Sequence, residues 1–354
     1  MTTVAIVILN WNGRAFLEKF LAPLVERTTQ QIVSFVIIDN GSTDDSCSFI
    51  SKNYPEIQLI CLDKNHGYTG GYNLGLQYIK ADYYILLNSD VEVSPGWLEP
   101  LVNLMDNKAK IGVCMPKIKA YDKPQSFEYA GAAGGFIDRF GFPFCRGRIL
   151  SCIEEDKGQY DERREVFWAT GACMMVRAQV FHELGGFDEG FFAHMEEIDF
   201  CWRVQIAGYK VMCEPASVVY HVGGGTLPNN NPRKLYFNYR NSLYMLYKNL
   251  PHSKWVFIFI VRLLLDNLSA MVYLFTGKFS FFSAVCRAHF HFWRNRRKLN
   301  VRPQPPDVSV TGIYRRSIVW DFFIKGRRKL RFSALSEPRF LQVQGESTKA
   351  NLKI

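Results

Sequence analysis

The chain has 354 residues and a formal charge of +10, with 48% hydrophobic and 15% aromatic side chains. This composition excludes a disordered protein and leaves room for one large folded body plus an appendage. Nine cysteines without a CxxC pair speak against structural zinc or a disulfide framework, and for a reducing compartment.

Residues 4–9 (VAIVIL) form an apolar run that reads as a strand. No basic segment or cleavage site precedes it, so no secretory signal is expected. Residues 14–27 place Phe16, Leu17, Phe20 and Leu24 at helical spacing. Residues 33–38 are a second strand. Ser42 or Thr43 is expected to cap a helix reaching about Lys52, before Pro55. A third strand at 58–62 and a third helix at 68–80 follow, then a fourth strand at 83–87. Ser94-Pro95 predicts the start of a helix that ends near Asp106. Strands separated by helices of this length predict a mostly parallel sheet with right-handed crossovers. From 111 to 175 the pattern loosens into short strands (111–115, 172–176) around a Gly-rich aromatic loop at 131–148. Residues 196–207 read as a helix closed by Gly208, and 211–221 as a strand.

Two strand ends carry acids. Residues 35–38 end in Asp39-Asn40-Gly41-Ser42, and 83–87 end in Asn88-Ser89-Asp90. Open α/β sheets bind ligands beyond the carboxyl ends of their strands. Asp39 suits the hydrogen-bonding edge of a nucleoside, although Asx-turns use the same residues. Asp90 suits a hard cation, because Mg²⁺ or Mn²⁺ needs one or two carboxylates beside substrate phosphates. The stretch Asn65-His66-Gly67 through Asn73-Leu74-Gly75 opens a helix whose first N–H groups could face phosphate. The chain contains neither GxGxxG nor GxxxxGK[ST]. Glu196, Glu197 and Asp199 crowd three acids at a helix start, which serves capping or raises one pKa into the range of a general base. Asp199 and Arg203 are also spaced as a helix pair. His221 ends a strand, and Trp168 with Gly171 could form a wall against a sugar or belong to the core.

These segments occur in the order of a known family. The chain resembles family 2 glycosyltransferases with the GT-A fold, especially their rhamnosyltransferase-like branch. The resemblance rests on residues 4–12 (VAIVILNWN), 37–44 (IIDNGSTD), 65–75, 86–90 (LLNSD), 168–172, 185–203 (GGFDEGFFAHMEEIDFCWR) and His221, and covers about residues 3–245. It implies inverting transfer from a nucleoside-diphosphate sugar bound by Asn10, Asp39, Asn65, Gly67, Asn73, Asn88 and Asp90. It further implies Mg²⁺ or Mn²⁺ on Asp90 and His221, an acceptor against Trp168 and Gly171, and a base among Glu197, Glu196 and Asp199, with Glu197 favoured. Family members usually show Glu-Asp where this chain has Glu196-Glu197, and Asn88 stands at the first Asp of their DxD pattern. The acceptor implied is a saccharide, lipid-linked, in cell-surface polysaccharide synthesis. A nucleotidyltransferase is the enzymatic alternative, but the segment Asn10-Trp11-Asn12-Gly13-Arg14 lacks a basic phosphate loop.

Residues 282–331 hold 13 Lys/Arg against 2 Asp/Glu, which leaves the rest of the chain close to neutral. That stripe suits an anionic membrane surface or nucleic acid. Residues 255–275 are apolar at 17 of 21 positions, long enough for a span, but Arg262 and Asp266 lie near the middle. A single span with basic residues inside would place the catalytic part outside, away from nucleotide sugars. The expectation is therefore a GT-A domain at 1–245, a basic membrane-associating helical segment at 246–331 and a polar tail at 332–354. The protein would be cytoplasmic and peripheral to the inner membrane face, inserting Trp255, Phe281, Phe282, Phe290, Phe292 and Trp293. Apolar runs beside the charges favour lipid over nucleic acid.

Overall fold

A computed structural model of the chain describes residues 2–28, 32–223, 230–299, 301, 310–330, 332 and 340–343. Strand β1 (Val4–Asn10) pairs in parallel with β2 (Val33–Asp39), and β2 with β3 (Gln58–Cys61). Helix α1 (Arg14–Glu26) joins β1 to β2, and α2 (Ser46–Asn53) joins β2 to β3. Helix α3 (Gly67–Gly75) leads through a 3₁₀ turn to β4 (Tyr83–Leu87), which returns to the other side of β1. Strands β1 and β4 are buried on both faces, which is why they read as unbroken apolar runs, whereas β3 lies at the sheet edge and is partly exposed.

Two helix starts differ from expectation. Ser42 does not cap α2, because its hydroxyl is held by the Asn10 side chain and the Asn12 N–H. Ser94 does not cap the next helix either. Its hydroxyl donates to Val218 O, and the chain turns at Gly96 (φ +68°) before α4 (Leu98–Asn107). Between them lies a strand the sequence did not reveal, β5 (Val91–Val93), which is only three residues long.

Strand β6 (Ile111–Ala120) starts the second half of the sheet and runs longer than its apolar core suggests. The Gly-rich region expected as loop builds a small second sheet from β7 (Gly135–Asp138), β8 (Pro143–Cys145), β9 (Arg148–Ile149) and β10 (Cys152–Ile153). These strands are too short for periodicity to register. Then come β11 (Arg164–Glu165), β12 (Cys173–Arg177), α5 (Ala178–Glu183), α6 (Glu196–Ile206) and β13 (Lys210–His221). The large sheet has the order β11-β13-β6-β12-β4-β1-β2-β3, with β5 on β13. Strand β12 runs antiparallel between β4 and β6, so the sheet is mixed.

Helix α7 (Pro232–Asn249) crosses residue 245 without a break, so the boundary expected there falls inside a helix. Helices α8 (His252–Phe275) and α9 (Phe279–Asn295) pack on it. Strand β14 (Val310–Tyr314) joins the small sheet in parallel with β7, and α10 (Ile318–Phe323) follows. Strand β15 (Phe340–Val343) pairs with β14, so part of the expected tail belongs to the sheet. One apolar core runs from β1 through Ile258, Phe259 and Phe292 to Ile313 and Ile318.

Candidate active site

The ends of β1 and β2 are in register, which sets Asn10 beside Asp39. Asn10 is fully buried, and its amide donates to Asp39 Oδ1 at 3.0 Å and to Ser42 Oγ at 3.2 Å. The Ser42 N–H donates to Asp39 Oδ2 at 2.9 Å. Asn10 therefore orients Asp39 rather than standing at the surface. Its own Oδ1 is buried without a partner among the described residues, an acceptor left over at the sheet edge.

The start of α3 departs from its expected role. The Gly67 N–H donates to Asn65 Oδ1 at 2.8 Å, and the Tyr68 and Thr69 N–H groups both reach Phe192 O. These donors are spent inside the protein and do not await phosphate. Gly67 has φ +75°, and a Cβ there would lie 2.6 Å from Phe192, so this glycine admits the segment before α6. Asn73 binds Phe187 through both its amide and its carbonyl. Gly67 and Asn73 thus shape the loop with their donors engaged inside the protein, while Asn65 contributes its Oδ1 to the same turn.

Asp90 follows β4 and is buried. Strand β5 pairs antiparallel with the end of β13, placing His221 opposite Val91. His221 Nε2 consequently lies 3.2 Å from Asp90 Oδ1, although 131 positions separate them. His221 Nδ1 is 3.5 Å from Glu128 Oε2. Burial opposes charge on this imidazole, but Asp90 and Glu128 outweigh it and push the pKa up to about 10. Burial would raise the Asp90 carboxyl, yet the bond and charge of His221 hold it below its ordinary value. Asn88 Nδ2 lies 3.5 Å from the same Nε2. Sequence reasoning missed Glu128, which sits in an irregular segment with no motif to mark it.

Among the described residues no group of three or more His, Cys, Asp or Glu side chains forms a ready cage for an ion. The donor set fits a different arrangement. One carboxylate and one imidazole converge, and the imidazole's second nitrogen faces another carboxylate, a set that could lend two ligands to an ion otherwise held by substrate oxygens.

The three acids of α6 separate into two kinds. Asp199 is wholly buried, accepting from Arg203 Nε at 2.9 Å, Lys248 Nζ at 3.1 Å and Asn249 Nδ2 at 2.8 Å. Burial alone would raise its carboxyl, but Lys248 and Arg203 hold it low. As a base this carboxylate is unavailable, which corrects its place among the candidates. Asp199→Asn is expected to cost about 3 kcal/mol of stability, because buried Arg203 loses its carboxylate while Lys248 keeps Asp188. Urea unfolding measures this, and an unchanged midpoint would refute the structural role.

Glu196 and Glu197 each have a buried Oε2 without a partner among the described residues. Burial, then the charge of Glu197, drive the Glu196 carboxyl well above its ordinary range. Burial raises Glu197 to about 7, opposed in part by backbone N–H groups at the helix start. Two adjacent carboxyls without an ion-pair partner among the described residues, one of them raised to about 7, are suited to general-base chemistry.

The segment 170–172 connects the two halves. Asn88 N–H donates to Ala172 O at 3.0 Å, and Tyr68 Oη donates to Gly171 O at 2.9 Å. Burial, then Tyr72, Glu196 and Glu197, raise the Tyr68 hydroxyl far above its usual pKa, so this phenol stands close to the acid pair. A Cβ at Gly171 would come within 2.8 Å of that hydroxyl. Trp168 is not part of a wall here: it is buried, stacks on Gly135 and donates from Nε1 to Phe136 O at 3.0 Å. Residues 224–229, after His221, lie outside the described residues.

A mixed α/β sheet with carboxylates gathered at one edge is the architecture of the GT-A glycosyltransferases. A solved structure shares this fold: that of GalNAc-T7 with UDP, GalNAc and Mn²⁺ superposes with a TM-score of 0.54 at 18% identity, covering 70% of this chain and 48% of that one. The family model Glycosyl transferase family 2 matches residues 5–185, and the chain belongs to that family. It is 27% identical over 230 residues to the N-acetylglucosaminyl-diphospho-decaprenol L-rhamnosyltransferase of Mycobacterium tuberculosis (61% of this chain, 75% of that one). It is 26% identical over 264 residues to the dTDP-rhamnosyl transferase RfbF of Shigella flexneri (69% and 79%).

Proposed function

We propose that this glycosyltransferase moves a sugar, with inversion, from a nucleoside diphosphate to a lipid-linked saccharide at the inner membrane face, in cell-surface glycan synthesis. The names of the two relatives support a diphospho-lipid acceptor and a deoxysugar nucleotide donor. The observation that carries the reading is that Glu196 and Glu197, each with an unpartnered Oε2, lie beside Tyr68, whose hydroxyl binds Gly171, while the next residue, Ala172, takes the N–H of Asn88, two positions before Asp90.

In this reading Asp39, held by Asn10 and Ser42, accepts hydrogen bonds from the nucleoside. Asp90 and His221 would hold Mg²⁺ or Mn²⁺, which when bound supplies Lewis-acid neutralisation of the diphosphate. Glu197 takes the proton of the acceptor hydroxyl. That oxygen bonds to the anomeric carbon as the bond to phosphate breaks, through an oxocarbenium-like state related to that of glycoside hydrolysis. The diphosphate departs on the face opposite the base. A thermal-shift screen of TDP, UDP and GDP, with and without Mn²⁺, tests the donor site, since a ligand at 100 times its Kd adds about 2.7 kcal/mol. A matching sugar nucleotide and polyprenyl-linked acceptor would then give product of inverted anomeric configuration. No shift with any nucleoside diphosphate would defeat the proposal.

Helix α8 supports the membrane placement. Residues 253–275 are long and apolar enough to cross a bilayer. Yet Arg262 and Asp266 face inward, where Arg262 pairs with Asp266, donates to Ser242 Oγ and Phe140 O, and stacks on Phe142. His289 on α9 lies 3.1 Å from Asp266. The opposite face is an exposed stripe: Val256, Phe257, Ile260, Leu263, Leu264, Leu268, Met271, Val272 and Phe275. A helix with one face bonded to the catalytic body and the other apolar suits the plane of the interface, not a span. Of the aromatics expected to insert, Phe292 is buried in the core, whereas Phe290 and Trp293 are exposed. Arg294, Arg297 and Lys298 are exposed beside them, where each cation adds about 1 kcal/mol near anionic lipid. Changing Ile260, Leu264 and Leu268 together to Glu is expected to abolish pelleting with anionic vesicles while leaving the unfolding temperature nearly unchanged. Retained pelleting would remove α8 as the contact.

A further inference from the structure

The segment entering α6 is held in a conformation its residues do not favour. Phe192 (φ 66°), His194 (φ 68°) and Met195 (φ 71°) all lie in the left-handed region, and none is glycine. Such backbone persists only where the surroundings over-determine it. Met195 is the cap of α6, so whatever fixes it also aims Glu196 and Glu197.

The surroundings come from two sides. On one side the start of α3 donates two N–H groups to Phe192 O, and Gly67 leaves room for the Phe192 ring. On the other is α7. Asn241 is fully buried, and its amide nitrogen lies 3.0 Å from Phe191 O, 2.8 Å from Ala193 O and 2.7 Å from His194 O. Two amide hydrogens thus serve three carbonyls of the strained segment. Arg240 Nε donates to Asn241 Oδ1 at 2.8 Å, which fixes the amide's orientation, and Arg240 Nη2 donates to Gly190 O and Phe191 O. Phe192 stacks on Phe237 of the same helix at 5.7 Å.

We infer that Asn241 is a positioning residue that holds the 191–195 segment so that Glu197 faces the acceptor hydroxyl. This rests on Glu197 as the base. No apolar side chain replaces Asn241, because three carbonyls need donors. Asp at 241 would set a carboxylate against them. Helix α7 lies beyond the matched residues 5–185, so the assignment comes from the hydrogen bonds alone.

The test compares Asn241→Ala and Asn241→Asp with wild type. Expected is a kcat lowered about 10–100-fold, the scale of a misplaced reacting group. Nucleoside-diphosphate affinity and donor KM should stay within about twofold. The acidic limb of the kcat profile should move to lower pH, because a loosened segment admits water to Glu197. The groups facing that carboxyl are Glu196 and Cys201 on α6 and Tyr68 on α3, while Asp199 acts on Glu196 and is itself paired with Arg203 and with Lys248, which also binds Asp188. In a Glu197→Gln background Asn241→Ala should cause no further loss, because it acts through Glu197. If Asn241→Ala does not fold, Arg240→Met loosens the same carbonyls and should lower kcat in the same direction. Equal loss of kcat and nucleotide affinity, or normal kcat in folded variants beside an inactive Glu197→Gln, overturns the inference alone. A fully active Glu197→Gln overturns the base reading and this inference with it.

Discussion

Glu197→Gln is expected to lower turnover by at least about 100-fold while nucleoside-diphosphate binding is retained. The amide keeps the side chain's size but cannot take a proton. With the folded pKa near 7, wild-type kcat should fall as pH drops below neutrality, and that limb should vanish in the variant. Stability carries a second signature of opposite sign. A carboxyl raised by burial binds its proton more tightly folded than unfolded. Its contribution is fully present below the ordinary carboxyl range and is lost as pH rises through about 7. Gln removes that loss, so the variant's unfolding temperature should exceed wild type's by more at pH 8 than at pH 5. Near-wild-type transfer by purified Glu197→Gln would falsify the assignment of the base, and an equal gain at both pH values would refute its buried charge.

Asp90→Ala should lower turnover by a comparable factor for another reason, and its clearest readout is binding. The Mn²⁺-dependent part of the thermal shift given by the matching nucleoside diphosphate should disappear, because the remaining protein donor is His221. Without Asp90, His221 keeps Glu128 as its carboxylate partner, so the fold should survive. A variant that keeps the full Mn²⁺-dependent shift would remove Asp90 from the ion's site. Together the two substitutions separate the halves of the cleft, one losing proton transfer with binding intact, the other losing binding.

Much of the site was legible because strand ends have local signatures. An apolar run that stops at Asp39 or Asn88-Ser89-Asp90 announces both the strand and the acid it delivers. The helical start at Glu196-Glu197 was equally visible. The roles of neighbours were not. Gly67 and Asn73 sit in a motif that looks built for phosphate, yet Gly67 makes room for Phe192, whose carbonyl takes the Tyr68 and Thr69 N–H groups, and the Asn73 side chain is taken up by Phe187. Trp168 looks like a sugar platform but fills the space above Gly135. In each case the competing partner lies about a hundred residues away or on another strand, beyond any window that periodicity can read.

Sequence by itself determined the alternation of strands and helices, the family, the acids at two strand ends and the amphipathic basic C-terminal segment. These follow from local rules of burial and chain geometry. Tertiary structure alone decided that β5 brings Asp90 to His221, that Lys248 and Arg203 withdraw Asp199 while Glu196 and Glu197 stay unpaired, and that α8 turns its charges inward and its apolar stripe outward. The physical reason is that a side chain's charge state and availability depend on which groups surround it in space, and strand order and helix packing set those neighbours, not their separation along the chain.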